Sequence, residues 1–263
     1  MCSSDLLPHV VEAGAGSPVV MVHGSFATPS TWKKLMAHLA TQHHCIAISL
    51  PGHGHMPAPH EAQGPSLQPE LDALAEVVQA RTQGPIHLVG HSFGGVVALA
   101  QALRGNLALA QLTLFEPVAT WVLDTVNDAP MQAQVAAFVQ RYRRDAALGL
   151  PDVCGQVIDF WGGANDYAGL PPHIRTLMGS MVSANLRHWD LCEQARHPAD
   201  ALRQLTVPTR LVCGTRSNAV AHAIVNHLHQ LLPHSRRWTI EGASHGLVAS
   251  HAEACLDALL SPV

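Results

Sequence analysis

The sequence is poor in charged residues. Only 13% of its 263 residues are Asp, Glu, Lys or Arg, and 15 basic and 19 acidic side chains leave a formal charge of −4. An average globular protein has about 25% charged residues. Because no basic block or stripe is present that would follow a phosphate backbone, we expect no nucleic-acid partner.

Long apolar runs are also lacking. No run approaches the ~18 residues that cross a bilayer. The opening stretch MCSSDLLPHVVEAG has no basic segment followed by an apolar one, which a secretion signal would have. We therefore expect a cytoplasmic protein of one globular domain that has no membrane partner. The oligomeric state stays open.

Cysteine pairs and metal-binding motifs are absent as well. The six cysteines include no CxxC pair, and Cys45 and Cys213 lie in apolar runs, where a reduced, buried thiol is expected. The densest histidine cluster, PGHGHMPAPH at 51–60, has the Pro and Gly content of a loop. Neither HExxH nor a Cys/His zinc spacing occurs, so we expect no metal and no other cofactor.

Short apolar runs alternate with amphipathic stretches along the chain. This alternation is typical of an α/β fold with a mostly parallel central sheet and helices on both faces. Each predicted strand ends at Gly or Pro, and an edge strand is possible at HVVEAG. The predicted strands are SPVVMVHG (17–24), CIAISLPG (45–52), IHLVG (86–90), LTLFEP (112–117), TRLVCG (209–214) and RWTIEG (237–242).

The stretch from about 119 to 203 interrupts this alternation. It has no convincing strand, and MQAQVAAFVQRYRRDAALG places Val135, Phe138 and Tyr142 on one helical face. Further helices are predicted near 152–161 and 172–190. We interpret 119–203 as a helical lid inserted into a core formed by 1–118 and 204–263. The core helices are predicted at 30–42, 67–82, 94–104, 219–232 and 246–260.

The clearest chemical motif is LVGHSFGGVV at 88–97. It places Ser92 between Gly90 and Gly94, after an apolar strand and before a helix. A serine in such a tight turn adopts an unfavourable backbone conformation, which the glycines permit because they have no Cβ atom. The helix N-terminus favours negative charge that develops beside Ser92. The motif therefore predicts an acyl-transfer nucleophile.

Four motifs in order make the whole chain resemble the α/β-hydrolase fold family. They are HGS at 23–25, PGHG at 51–54, GHSFGG at 90–95 and GASHG at 242–246. The resemblance implies a serine hydrolase in which His245 is the base that activates Ser92. His251 is the rival, but it falls within the predicted last helix. His91, beside the serine, is expected to point elsewhere and to be a packing residue.

The acid of the triad departs from the family pattern. The family usually places it after its seventh strand, but this chain has Ser217 there, in CGTRSNAV. Some family members carry the acid at the end of the sixth strand, where this chain has Glu116. We therefore predict Glu116 as the acid, with Asn218 as an uncharged substitute and Asp190 as a distant third. Capping of a loop remains the alternative role for Glu116.

The resemblance also implies an oxyanion hole and a substrate pocket. The oxyanion donors would be the backbone N–H groups of Ser25 and Phe93. Pocket candidates are apolar side chains, for which simple core packing is the alternative at every position. They are Phe26, Trp121, Trp161 and Met178.

These predictions favour a serine hydrolase that cleaves a carboxylic ester of a small, hydrophobic substrate through an acyl-enzyme. An ester is the default because its alkoxide leaving group demands least of the acid catalyst. A lactonase, thioesterase, perhydrolase or carbon–carbon hydrolase would use the same residues. A binding protein of this fold that has lost catalysis is the alternative from another class, and Ser217 is its only support.

Overall fold

A seven-stranded sheet forms the centre of the computed structural model, which describes residues 9–54, 56–59 and 64–262. The strands lie in the order β1-β3-β2-β4-β5-β6-β7 across the sheet. Only β1 is antiparallel to its neighbour, and the other strands pair in parallel. The strands are β1 (Val10–Ala13), β2 (Ser17–Val22), β3 (His43–Ile48), β4 (Ile86–His91), β5 (Leu109–Phe115), β6 (Thr209–Gly214) and β7 (Ser235–Ile240).

Within the described ranges, six core helices flank the sheet. A 3₁₀ turn at Pro29–Trp32 directly precedes α1. Each face of the sheet has its own buried apolar cluster, so helices cover both faces and the predicted α/β class is confirmed. The core helices are α1 (Lys33–Leu39), α2 (Gln68–Arg81), α3 (Phe93–Arg104), α10 (Ala219–Leu231), α11 (Leu247–Ser250) and α12 (Ala252–Leu260).

The chain between β5 and β6 contains helices and no strand, and all of its residues are described. The longest of these helices buries Val135, Phe138, Val139 and Tyr142, the face expected from the sequence. This insertion consists of α4 (Trp121–Thr125), α5 (Ala129–Ala147), α6 (Cys154–Trp161), α7 (Pro172–Gly179), α8 (Val182–Gln194) and α9 (Ala199–Arg203).

Two predicted helices are each divided in the structure. The stretch 172–190 contains α7 and α8, because the chain turns at Ser180 and Met181 between them. The stretch 246–260 contains α11 and α12, which are separated at His251. The backbone of His251 (φ −127°, ψ 48°) is not helical, so the expectation that this residue lies inside a helix is wrong.

Other expectations concern membrane spans, cysteines and metals. No helix in the described part of the chain is long and apolar enough to cross a bilayer. Cys45 and Cys213 are buried free thiols, as the apolar runs around them indicate. Within the described ranges no group of His, Cys, Asp and Glu side chains is arranged to hold a metal ion. His55 and His60 of the histidine-rich loop lie outside those ranges.

Candidate active site

Ser92 occupies the turn between β4 and α3. Its backbone angles (φ 56°, ψ −122°) lie in a region that non-glycine residues rarely adopt. A residue held there costs of order 1–3 kcal/mol, which the surrounding structure must offset. Phe93 is the first residue of α3, so its N–H belongs to the helix terminus, where no intrahelical acceptor is available.

The glycines beside Ser92 are required by close backbone contacts. A Cβ atom on Gly90 would lie 2.4 Å from the carbonyl oxygen of Gly94. One on Gly94 would lie 2.2 Å from the carbonyl oxygen of Val22 in β2. Since Cβ atoms essentially never come so close to a backbone oxygen, α3 can begin against the sheet only if both positions are glycine.

Ser92, His245 and Glu116 form one chain of hydrogen bonds. The Oγ of Ser92 lies 2.9 Å from Nε2 of His245, and Nδ1 of His245 lies 2.8 Å from Oε2 of Glu116. A carboxylate only accepts hydrogen bonds, so the proton of the neutral imidazole is on Nδ1. Nε2 is then the acceptor for the hydroxyl of Ser92. The imidazole can therefore take the serine proton while the carboxylate stabilises the resulting imidazolium.

Glu116 is fully buried at the end of β5 and makes hydrogen bonds with both of its oxygens. Its second oxygen accepts the N–H of Gly214 at 2.7 Å and the hydroxyl of Ser217. Burial alone would raise the pKa of Glu116, but the hydrogen bonds from His245, Gly214 and Ser217 and the electrostatic interaction with His245 outweigh it and lower the pKa below its ordinary value. Glu116 therefore stays ionised at neutral pH.

A second strand end approaches Ser92 at the His23-Gly24-Ser25 turn. A Cβ atom on Gly24 would lie 2.8 Å from the Cβ of Ser92, so the two turns are in direct contact. His23 holds this turn, since its Nδ1 donates to the carbonyl of Gly24 at 2.8 Å and its Nε2 accepts the N–H of Leu50 at 3.2 Å. Burial lowers the pKa of His23 to about 3, so the ring is neutral.

The insertion covers this site. The ring of Trp161, at the end of α6, stacks on His245 at 5.5 Å between ring centres, and Trp189 of α8 stacks on Trp161 at 5.9 Å. Asp166 accepts a hydrogen bond from Ser244, next to His245, at 3.0 Å. Ser92 itself is only 8% exposed.

Comparison with known proteins agrees with this geometry. The sequence model of the "Alpha/beta hydrolase family" matches residues 19–258, almost the whole chain. The chain belongs to the α/β-hydrolase family. The resemblance seen in the sequence motifs is thereby confirmed, and the protein is a hydrolase by family.

Several α/β-hydrolases are similar over most of their length. A pimeloyl-[acyl-carrier protein] methyl ester esterase of Neisseria meningitidis serogroup A is 29% identical over 242 residues, 90% of this chain and 73% of its own. The esterase of the same name from Methylococcus capsulatus is 26% identical over 256 residues, 93% of each chain. The solved esterase EaEST from Exiguobacterium antarcticum superposes with a TM-score of 0.72 at 20% identity, covering 96% of this chain and 93% of its own.

The alternative acids predicted for this α/β-hydrolase lie elsewhere. Asn218 caps α10 through the N–H of Ala221 and donates to the carbonyl of Phe160. Asp190 pairs with Arg143 on the surface at 2.7 Å. Neither side chain bonds to His245 among the described contacts.

The predicted pocket residues are spread through the α/β-hydrolase. Phe26 is buried in the turn after Ser25, with φ +57°, and Trp161 covers His245. Trp121 is buried and meets His197 edge-on at 5.2 Å, while Met178 is half-buried on α7. No described ring contact or hydrogen bond joins either of these last two to Ser92 or His245, so their pocket role stays a prediction.

Two histidines make contacts near the site that the sequence does not predict. His91 was expected to point elsewhere, yet its Nε2 donates to the carbonyl of His245 at 2.9 Å. His188, on α8, lies 2.7 Å from the hydroxyl of Ser25. Helical spacing gave one signal: Asn185, His188, Trp189 and Cys192 share a buried face, and a buried polar side chain needs a partner.

Proposed function

We propose that this protein is a serine esterase in which Ser92 is the nucleophile, His245 the general base and Glu116 the acid of the triad. The observation that carries the proposal is the unbroken hydrogen-bond chain from Ser92 through His245 to Glu116. Ser92 attacks the ester carbonyl, and His245 takes its proton and returns it to the leaving alkoxide. Water then releases the acyl group by the same route.

The developing oxyanion would be stabilised by the backbone N–H groups of Ser25 and Phe93. The contact of Gly24 with Ser92 supports the first assignment, because it brings the following N–H beside the nucleophile. The place of Phe93 at the start of α3 supports the second. Preorganised donors of this kind contribute about 10²–10³-fold each to kcat.

We further propose that 119–203 is the lid and that its apolar side chains receive the acyl or alcohol group. The aromatic contacts of Trp161 and Trp189 above His245 support a small, hydrophobic substrate. The relatives named for a methyl ester favour esters of short alcohols. Candidate pocket residues besides Trp161 are Phe26, Trp121 and Met178.

A substrate screen tests the proposal. The purified protein is assayed on p-nitrophenyl esters of increasing chain length and on methyl esters, with lactones, thioesters and a vinylogous diketone as the other arms. We expect ester hydrolysis that Ser92→Ala abolishes without lowering Tm. Fluorophosphonate labelling of the native protein but not of Ser92→Ala is the parallel readout. Folded protein that neither labels nor hydrolyses any arm would overturn the proposal.

A further inference from the structure

His188 joins the inserted helices to the two residues proposed to bind the oxyanion. Its Nδ1 lies 2.7 Å from the Oγ of Ser25, and its ring stacks on the ring of Phe93 with 3.6 Å between centres and 11° between planes. It also stacks on His53 at 5.0 Å. One side chain of α8 therefore contacts both positions that flank the nucleophile.

The imidazole of His188 is neutral. Its side chain is buried, with only 2% of the residue exposed. Burial is the main cause that holds the pKa of His188 well below its ordinary value, and the electrostatic effects of the His53 ring, the Arg187 guanidinium and the His23 ring act in the same direction. A neutral imidazole carries one proton, and the position of that proton decides which way the hydrogen bond to Ser25 runs.

The surroundings of the two ring nitrogens place this proton on Nδ1. Nε2 is buried and has no hydrogen-bond partner among the described residues. Nε2 therefore lacks a partner in either tautomer, and a buried N–H without an acceptor is rarer in native proteins than a buried acceptor without a donor. On Nδ1 the same proton meets the Oγ of Ser25. His188 then donates and Ser25 accepts, so the hydroxyl proton of Ser25 remains available.

Ser25 is well placed to use that proton. The residue is half-buried, and the turn that carries it contacts Ser92 through Gly24. A hydroxyl beside the nucleophile can donate to the same carbonyl oxygen that the backbone N–H groups bind. Such a donor is effective only if its direction is fixed before the reaction.

We propose that His188 is a positioning residue for ester hydrolysis: its Nδ1–H fixes the hydroxyl of Ser25, which donates to the carbonyl oxygen of the bound ester. The inference depends on the proposed function, since it concerns the same reaction. It adds a third, side-chain donor to the two backbone donors and makes that donor depend on a helix of the insertion.

Four variants test this positioning role with a p-nitrophenyl ester that the native protein hydrolyses. His188→Phe keeps a ring against Phe93 but removes the donor, and Ser25→Ala removes the hydroxyl but keeps the backbone N–H. Each is expected to lower kcat about 10²-fold with little change in KM. His188→Asn restores an N–H near the position of Nδ1 and should lie within about tenfold of the native rate. His197→Phe, the same change on a half-buried histidine packed against Trp121, is the matched control and should be silent.

The double variant His188→Phe/Ser25→Ala separates positioning from packing. If His188 acts through the hydroxyl of Ser25, the double variant is no slower than Ser25→Ala alone, because the second change removes nothing further. Additive losses, or a native kcat in either single variant, would overturn the inference while leaving the esterase proposal intact. If His188→Phe does not fold, Ser25→Ala with an unchanged kcat is sufficient to overturn it. Absence of ester hydrolysis by the native protein would instead overturn both.

Discussion

The hydroxyl of Ser217 donates a hydrogen bond to the carboxylate of Glu116. The family resemblance implies an acid at position 217, so the residue at that position bonds to the residue that we propose as the acid instead. The same carboxylate reaches His245 from the neighbouring strand β5. The proposed acid thus lies one strand away from the position that the family resemblance implies, and it bonds to the imidazole from there.

The first prediction concerns Glu116, the proposed acid. Glu116→Gln should lower kcat about 10²–10⁴-fold, because an amide can no longer stabilise the imidazolium by charge. Ser217→Ala should cost less than about tenfold, since Glu116 keeps its bonds to Gly214 and His245. Steady-state kinetics on one ester, beside thermal unfolding, makes the comparison. A native kcat in Glu116→Gln would disprove the assignment of the acid.

The second prediction returns the acid to the family's position. Glu116→Ala/Ser217→Asp should recover part of the kcat that Glu116→Ala loses. The side chain of residue 217 contacts the carboxylate of Glu116 in the native protein, so an aspartate at position 217 can extend into the volume that Glu116→Ala leaves empty. Glu116→Ala/Ser217→Asn is the matched uncharged control, and it should show no recovery. Equal rates for the Asp and Asn variants would mean that a carboxylate at position 217 does not reach the imidazole.

The third prediction tests the close contact of α3 with the sheet. Gly94→Ala should destabilise the protein by more than about 4 kcal/mol, because the new Cβ would lie 2.2 Å from the carbonyl of Val22. Gly179→Ala is the control: no atom lies within 4 Å of the added Cβ there, and we expect a change below about 0.5 kcal/mol. Urea denaturation measures both. Similar midpoints for the two variants would refute the packing argument.

The fourth prediction concerns the ion pair that fastens α8 to α2. Arg187 makes a two-pronged contact with the fully buried carboxylate of Glu70, with 3.2 Å between Nη2 and Oε2. Arg187→Ala should cost about 3–5 kcal/mol, because it removes the cation from a buried carboxylate. Arg143→Ala, which breaks half-exposed pairs with Asp190 and Glu193, should cost at most about 1 kcal/mol for each pair. An Arg187→Ala variant as stable as Arg143→Ala would contradict this ranking.

The fifth prediction concerns acid. Burial lowers the pKa of His23 and of His87 from 6.5 to about 3, so the unfolded chain binds protons that the folded protein does not. The contribution of these two histidines to the free energy of unfolding is therefore complete above pH 6.5. It decreases as the pH falls towards about 3, by about 1.4 kcal/mol per pH unit for each such proton. In His87→Gln the free energy of unfolding should fall less steeply between pH 6 and pH 4, by about 1.4 kcal/mol per pH unit, because one proton fewer is taken up on unfolding. Urea titrations across that range would show an unchanged slope if His87 were protonated in both states.

The sequence predicts the strands well because each is an apolar run of β-branched residues ended by a breaker. The ends of the strands are predicted less accurately. For example, β3 begins at His43, two residues before the apolar run. There the ladder with β2 extends the strand through polar residues. A second difference occurs at His251. The helical pattern of the sequence continues through this residue, but its backbone conformation separates α11 from α12. Local propensity does not record such tertiary constraints.

The sequence also predicts that Ser92 and Glu116 follow strands directly and that His245 lies on the loop after the last strand, and the structure has all three residues there. His188 could not be found in this way. It lies in the middle of α8, 163 residues from Ser25 along the chain, and no motif surrounds it. Its neighbours depend on how the insertion folds over the core, which a single sequence does not specify.

Glu116 connects the end of β5 to β6 through its hydrogen bonds with Gly214 and Ser217. This arrangement affects how distant relatives are recognised. In this chain the proposed nucleophile, acid and histidine keep the order of the family, although the proposed acid follows β5 and not β6. A motif search that demands Asp after β6 would dismiss such sequences as inactive. The pattern to search for is a glutamate directly after β5 together with a serine or threonine after β6, at the position where an aspartate is expected.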